Sequence, residues 1–234
     1  MDGTLLTALA LIPALVIAIV FHEVAHGWTA LMLGDPTAKE RKRLSLNPIR
    51  HVDPLGTLLL PGLLALTGAP VFGWAKPVPV IKERLRNPRF GMMAVAAAGP
   101  GTNLVLAALG AVMIGLFLGP IAGSEFQSGN PAWGYVLTGL ALEYFLTINV
   151  FLALFNLLPI PPFDGSHIVE GLLPDRAARA YDKLRPFGFP LLFLLLLVIP
   201  WLFPQLGLIE RVVMPPVEWV IGLYAEIARA VAGT

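Results

Sequence analysis

Long apolar runs separated by short charged connections dominate the chain. Residues 5–33, 92–118, 135–158 and 187–203 are each almost free of charge and, as helices, long enough to cross the roughly 30 Å hydrocarbon core of a bilayer. A further run, residues 212–231, is ambiguous, because its charged positions recur at helical spacing and also suit a helix lying along the membrane interface. The pattern predicts an all-α polytopic membrane protein, a bundle of about five to six transmembrane helices.

A shorter apolar run covers residues 55–66. As a helix, its dozen residues would reach only about 18 Å at 1.5 Å per residue, well short of a span. Proline and glycine interrupt it at Pro54, Gly56, Pro61 and Gly62. We therefore expect a re-entrant or membrane-dipping segment near residues 54–81.

Composition supports a membrane protein and narrows its chemistry. Hydrophobic residues make up 56% of the chain and charged residues only 13%, and the mean hydropathy is +0.76. The absence of cysteine excludes disulfides, thiolate zinc sites and cysteine nucleophiles. A net charge of +1 without a basic, aromatic-rich patch argues against nucleic acid as a partner. The apolar N-terminus lacks a basic start and a convincing cleavage site, so we expect it to remain in the mature protein.

The basic residues predict the topology. Fourteen of the sixteen lie in three connections, which the positive-inside rule places in the cytoplasm, whereas loop 119–134 has none and is expected outside. The first helix then runs inward, and its polar residues lie in the cytoplasmic half of the bilayer. The fourteen residues are Lys39, Arg41, Lys42, Arg43, Arg50, Lys76, Lys82, Arg84, Arg86, Arg89, Arg176, Arg179, Lys183 and Arg185.

The first span contains the sequence HEVAH. His22 and His26 are four residues apart, so on a helix both imidazoles can bind one metal ion, with Glu23 beside them. This H-E-x-x-H pattern is typical of metallopeptidases in which the glutamate is the general base. The alternative is a pair of hydrogen-bonded core histidines, but such polar groups are costly in a span without a function.

A catalytic zinc site normally has a third protein ligand. Depth favours Asp164, because the span before it returns to the inner half of the bilayer, and prolines in residues 156–165 forbid a regular helix there. An ordinary proline-rich loop ended by an Asp-Gly turn explains the same stretch. The candidate third ligands are His51, Asp53, Glu143, Asp164, His167 and Glu170.

Taken together, HEVAH and the pattern N-x-x-P-x-x-P-x-D-G, from Asn156 to Gly165, resemble the site-2 protease family of intramembrane zinc metallopeptidases. The stretch AAGPGTN, residues 97–103, is similar to the small-residue motif of that family's intervening helix. LNPIRHVDPLGTLLLP (46–61) and FGWAKPVPV (72–80) look like its minimal branch, which lacks the CBS domain, and no PDZ insertion is visible.

The resemblance implies an enzyme that hydrolyses peptide bonds within transmembrane segments of other proteins, with one Zn²⁺ per chain. It implies that His22, His26 and Asp164 are the zinc ligands and Glu23 the catalytic base, and that Asn156 steadies the substrate or the oxyanion. We expect one membrane-embedded protease domain over residues 1–234, with a catalytic core at about 5–175 and C-terminal helices at 186–232.

Other polar residues have less specific interpretations. Residues 73–81 fit either an edge strand that holds an unwound substrate or a plain loop. Glu143 lies outside the depth of the metal, where we expect a structural hydrogen bond to another helix, and His167 is expected to face solvent. His51 and Asp53 either help the site or flank the dipping segment.

Two other functions fit parts of the sequence. The first is a membrane metal carrier or sensor without enzymatic activity, although a carrier should have polar groups across the whole bilayer. The second is another membrane metallopeptidase with Glu170 as its third ligand. Separate substitutions of Asp164 and Glu170 distinguish the two enzymes.

Overall fold

The computed structural model describes residues 3–67, 73–117, 132–207 and 209–233. Within those ranges the chain is helical and contains no strand, which confirms the predicted all-α fold. The helices are α1 (Gly3–Met32), α2 (Thr37–Glu40), α3 (Leu60–Thr67), α4 (Pro88–Leu116), α5 (Trp133–Asn156), α6 (Asp164–Leu172), α7 (Asp175–Asp182), α8 (Gly188–Phe193), α9 (Ile199–Leu202) and α10 (Met214–Ala232). Shorter 3₁₀ or π turns cover Pro48–His51, Pro54–Leu59, Lys82–Arg84, Arg185–Phe187, Leu194–Val198, Pro204–Leu206 and Ile209–Val213.

Four helical stretches of the described chain are long and apolar enough to cross a membrane. They are α1, α4, α5 and the stretch Asp175–Leu202, which combines α7, α8 and α9 with the turns between them. The ambiguous C-terminal run forms the 19-residue helix α10, which includes three charged residues. The membrane-protein class is confirmed, whereas the exact count of five to six spans stays a prediction.

The short apolar run is helical over residues 54–67, as a π turn followed by α3. Asp53 is the N-cap of this segment, since its Oδ1 accepts hydrogen bonds from the backbone N–H groups of Leu55 and Gly56. Fourteen residues reach about 21 Å, too short for a span, as the sequence predicts. The re-entrant placement itself stays a prediction, and part of it falls on residues 68–72, outside the described chain.

Contacts divide the chain into two compact units, and the first comprises Met1–Ala18, Gly101–Phe155 and Glu210–Thr234 as far as these are described. Its core is built largely from small and β-branched side chains, which allow helices to approach closely. A buried amide pair lies in the same unit, where Asn103 Nδ2 donates to Asn149 Oδ1 at 2.7 Å and to Ala18 O at 3.1 Å. The core residues are Ala107, Ala111, Leu146, Val150, Val217 and Ala228.

The second unit comprises Ile19–Pro100 and Asn156–Ile209. The turn after α1 is fixed by Asp35, which is fully buried and accepts hydrogen bonds from Thr37 N at 3.0 Å and Ile81 N at 2.6 Å. This carboxylate therefore ties the end of α1 to the connection before α4. The division into units does not test the expected single protease domain over residues 1–234, which stays a prediction.

Candidate metal centre

The four-residue spacing of the histidines in HEVAH places both of them on one face of α1. His22 and His26 are 7% and 9% exposed, and their rings meet edge to face with centroids 4.6 Å apart. The Nδ1 atom of His26 lies 2.7 Å from Val95 O on α4. Since a carbonyl only accepts, Nδ1 is the donor of this hydrogen bond, which leaves Nε2 as the ring atom that can bind a metal ion.

Asp164 is the first residue of α6, and a tight reversal of the chain brings it to the histidines. Helix α5 ends at Asn156, and residues 157–163 form irregular turns, in keeping with their prolines. Gly165 permits the reversal, because a Cβ there would lie 2.2 Å from Leu157 O. Only glycine leaves space for that approach of the backbone.

The three candidate ligands converge on one point. The Nε2 atoms of His22 and His26 are 3.0 Å apart, and Asp164 Oδ2 lies 3.1 Å and 3.3 Å from them. Donors at about 2.0–2.1 Å from a tetrahedral zinc ion lie about 3.3–3.4 Å from one another, so the spacing is close to that of a zinc site. Two imidazoles and a carboxylate are also ligands that zinc accepts. The donors fit the ion.

Helix α4 leaves space for this group. A Cβ on Gly99 would lie 2.5 Å from His26 Nε2 and 2.6 Å from His22 Cε1, closer than real contacts allow. The small-residue stretch of α4 therefore packs directly against the histidine rings.

Glu23 accepts a backbone hydrogen bond from the connection between α3 and α4. Its Oε2 accepts a hydrogen bond from Val78 N at 2.7 Å, and its other oxygen has no partner in the described part of the chain. Glu23 and Asn156 line the same cavity of about 630 Å³ as the three candidate ligands. The structure thus brings together all five residues that the sequence singles out.

Residues 73–81 form no strand, so the plain loop is the alternative that the structure shows. The loop nevertheless contributes Pro77, Val78 and Val80 to the cavity wall. The bond from Val78 N to Glu23 was not predicted. A signal for it exists in KPVPV, since Pro77 and Pro79 have no N–H and leave Val78 as the donor between them.

Glu170 does not join the candidate metal group of the described residues. It belongs to a charged cluster in which it binds Lys82 Nζ at 2.7 Å and the guanidinium of Arg185. His167 also contacts Arg185, at 3.0 Å and 3.1 Å, and lines the cavity, so the expected solvent-facing position is wrong. Burial and the charge of Arg185 lower the pKa of His167 to about 4, so its ring is neutral at pH 7.

His51, Asp53 and Glu143 also lie outside the metal group. His51 is buried and its Nε2 donates to Ser45 O at 2.8 Å, while Asp53 starts the short helical segment. Glu143 is exposed and borders a separate cavity of about 390 Å³ with apolar walls. The expected hydrogen bond from Glu143 to another helix is not found within the described residues.

Comparison with known proteins places the chain among metallopeptidases. The sequence model described as "Peptidase family M50" matches residues 10–199. The chain is 38% identical over 206 residues to the "Putative zinc metalloprotease YwhC" of Bacillus subtilis (strain 168), with 86% of this chain and 87% of that protein covered. It is 31% identical over 186 residues to the "Putative zinc metalloprotease Rip2" of Mycolicibacterium smegmatis, covering 78% and 65% of the two chains. No solved structure matches.

Proposed function

The chain belongs to peptidase family M50, and from this membership and its buried His-His-Asp group we propose that it hydrolyses peptide bonds within transmembrane segments of other membrane proteins, in regulated intramembrane proteolysis. The chain is a membrane zinc peptidase; the substrate class is the proposal. The observation that carries it is the position of His22 and His26 on α1, a helix able to span a bilayer. A peptidase site on such a helix suits a peptide bond that is itself in the membrane.

We assign His22, His26 and Asp164 as the zinc ligands and place them in the cytoplasmic half of the bilayer. By helical rise, His22 and His26 lie about 15 Å and 9 Å before Met32, the last residue of α1. The connections rich in lysine and arginine support a cytoplasmic position for that end of the helix.

Bound zinc supplies Lewis acidity, which makes water more acidic and a peptide carbonyl more electrophilic. Glu23 then acts as general base and general acid. Since Val78 N–H occupies Oε2, the Oε1 atom accepts the proton of the attacking water and delivers it to the leaving amine. Asn156, on the cavity wall, steadies the substrate or the oxyanion with its side-chain amide.

A transmembrane substrate must unwind locally before a carbonyl can enter this site, because helical hydrogen bonds shield the backbone. The loop at residues 73–81 offers backbone groups along the cavity wall for such an extended stretch. Substrates with helix-breaking residues near the cleaved bond are therefore preferred, since unwinding costs them less.

The experiment compares the native chain with Glu23→Gln, purified in detergent, for zinc content and cleavage of model transmembrane substrates. Native protein is expected to carry about one zinc per chain and to cut within the span. Glu23→Gln is expected to keep the metal and lose cleavage. Metal binding without cleavage by either protein, across several substrates, would favour the carrier or sensor instead.

A second pair of variants tests the ligand assignment. Asp164→Asn should reduce zinc content sharply, whereas Glu170→Gln should retain it, because Glu170 is held by Lys82 and Arg185 rather than by the histidines. Retention of zinc by Asp164→Asn and its loss in Glu170→Gln would establish the alternative metallopeptidase site.

A further inference from the structure

Arg43 is a buried cation close behind the proposed active site. It follows helix α2, is 7% exposed, and its Nη2 donates to Lys76 O at 2.6 Å. Its Nε is buried and has no partner in the described chain. Burial lowers the pKa of Arg43, and the negative charge of Glu23 opposes that effect. Burying a guanidinium is costly unless it is compensated, and for Arg43 the compensation comes from Lys76 O and from the negative charge of Glu23.

The backbone that Arg43 binds leads directly to Glu23. Lys76 is fixed on both sides of its peptide unit, since its N donates to His51 O at 2.9 Å and its O accepts from Arg43. Two residues later, Val78 N donates to Glu23 Oε2 at 2.7 Å. The prolines on either side of Val78 restrict the backbone and offer no other N–H.

The same segment is packed against α1 one turn beyond Glu23. The Val78 side chain is buried, and a Cβ on Gly27 would lie 3.0 Å from Val78 Cγ1 and 2.5 Å from Leu44 Cδ2. The Arg43–Leu44 turn and the Lys76–Val78 segment thus meet the helix at a place where it has no side chain. A shift of either segment would therefore move the Val78 N–H group relative to Glu23.

We propose that Arg43 is a positioning residue for the Glu23 carboxylate, acting through the backbone from Lys76 O to Val78 N–H. This rests on the proposed function, in which Glu23 is the base. Arg43 fixes the Lys76 carbonyl, Val78 N–H binds Oε2, and the carboxylate is held with Oε1 directed at water. Without Arg43, the carboxylate loses its orientation while the ligands His22, His26 and Asp164 remain in place.

The first test measures kcat and KM separately, with zinc content, for Arg43→Met in the purified full chain. We expect kcat to fall about 10- to 100-fold, with the upper end equal to the loss that a displacement near 1 Å can produce, and we expect KM within about twofold and zinc content unchanged. Arg43→Lys should recover part of the loss, because an ammonium group can donate to the same carbonyl. Loss of zinc, a change in KM alone, or no change in kcat would overturn the proposal.

Arg50 provides the matched control. It is exposed, and its Nη1 makes the same kind of bond, to Lys42 O at 2.7 Å, in the same connection. Arg50→Met should keep kcat within about twofold of the native value. An equal loss in Arg50→Met would show a general effect of the connection and overturn the specific role of Arg43.

A double-mutant cycle tests the route. Val78→Pro removes the N–H that binds Glu23 and extends an existing proline run. If Arg43 acts through this N–H, the kcat of the double variant Arg43→Met with Val78→Pro should be close to that of the less active single variant. If the two residues act independently, the fold-losses in kcat of the single variants should multiply. Multiplying effects would overturn the route through Val78.

Amide hydrogen exchange of residues 76–81 reports on the positioning without catalysis. Exchange should be slow in the native chain and in Arg50→Met, and faster in Arg43→Met. If the native chain cleaves no substrate, the proposed function fails, but this exchange pattern still decides whether Arg43 orders the segment. Equal exchange in all three proteins would overturn the proposal even in an active enzyme.

Discussion

Replacing Gly99 by alanine should weaken zinc binding through steric pressure on the two histidines. The new Cβ would lie 2.5 Å from His26 Cε1 and Nε2 and 2.6 Å from His22 Cε1, about 0.8–0.9 Å closer than an ordinary contact of 3.4 Å. The His26 ring cannot simply rotate away, because Val95 O holds its Nδ1 at 2.7 Å. Overpacking of this kind costs about 1–3 kcal/mol. If that cost falls on the metal site, zinc affinity drops about 5- to 150-fold.

Competition with a chromophoric zinc chelator, on purified protein, measures this loss. Gly101→Ala is the control, because the same helix has nothing within 4 Å of a Cβ at that position. Alanine favours a helix over glycine by about 1 kcal/mol, so a loss restricted to Gly99→Ala cannot come from helix propensity. Equal zinc affinities in the two variants would refute the argument that α4 leaves space for the histidines.

Three further predictions follow from the described contacts. Burial would raise the pKa of Glu170, but its bond with Lys82 and the charge of Arg185 outweigh burial and hold that pKa below its ordinary value of 4.5. Glu170→Gln should therefore lower the free energy of unfolding at pH 7 by about 1–3 kcal/mol, which is measured as a lower thermal midpoint. The difference from the native protein should shrink as the pH falls through the lowered pKa, because the native carboxylate then becomes protonated. A difference that stays constant with pH would contradict this prediction. Asn103→Ala should cost about 1–3 kcal/mol by leaving Asn149 Oδ1 without its donor, and the double variant with Asn149→Leu should recover part of the loss. Removal of zinc by a chelator should abolish cleavage, and added zinc should restore it; cleavage that survives complete metal removal would exclude a zinc peptidase mechanism.

The local part of the site could be predicted from the sequence because its geometry is set by one helix. A spacing of four residues places His22 and His26 on one face of any α-helix, whatever surrounds it. The apolar length of α1 likewise follows from composition alone. The structure agrees with both expectations: the two Nε2 atoms are 3.0 Å apart on a 30-residue helix.

The long-range part of the site could not be predicted in the same way. Asp164 is 142 residues from His22, and nothing in the local pattern of either segment encodes their contact. Depth favours Asp164 but also admits Glu170, and the resemblance to the protease family is what implies Asp164 as the third ligand. The structure separates the two carboxylates by their partners, since Glu170 is paired with Lys82 and Arg185 whereas Asp164 lies beside His22 and His26.

Hydrogen bonds between a backbone group and a side chain could not be predicted from the sequence either. The alternation and the proline content of residues 73–81 fit a strand and a loop almost equally well. The contact that these residues make with Glu23, however, is a single hydrogen bond from Val78 N–H. Similarly, mid-span Glu143 suggested a helix-to-helix hydrogen bond, but the described structure leaves it exposed beside an apolar cavity. Sequence patterns indicate which residues are costly in a membrane without specifying what satisfies them.

Space is as necessary to this site as its ligands, and it explains why a five-residue motif is weak by itself. At Gly99 a side chain would strike the histidine rings, at Gly165 the backbone that delivers Asp164, and at Gly27 the segment that holds Glu23. Each missing side chain lies where a different part of the chain must approach the site. An H-E-x-x-H helix with larger residues at such positions could keep its motif and still be unable to assemble three ligands and a base. A search for related sites is therefore better based on the motif together with these close approaches than on the motif alone.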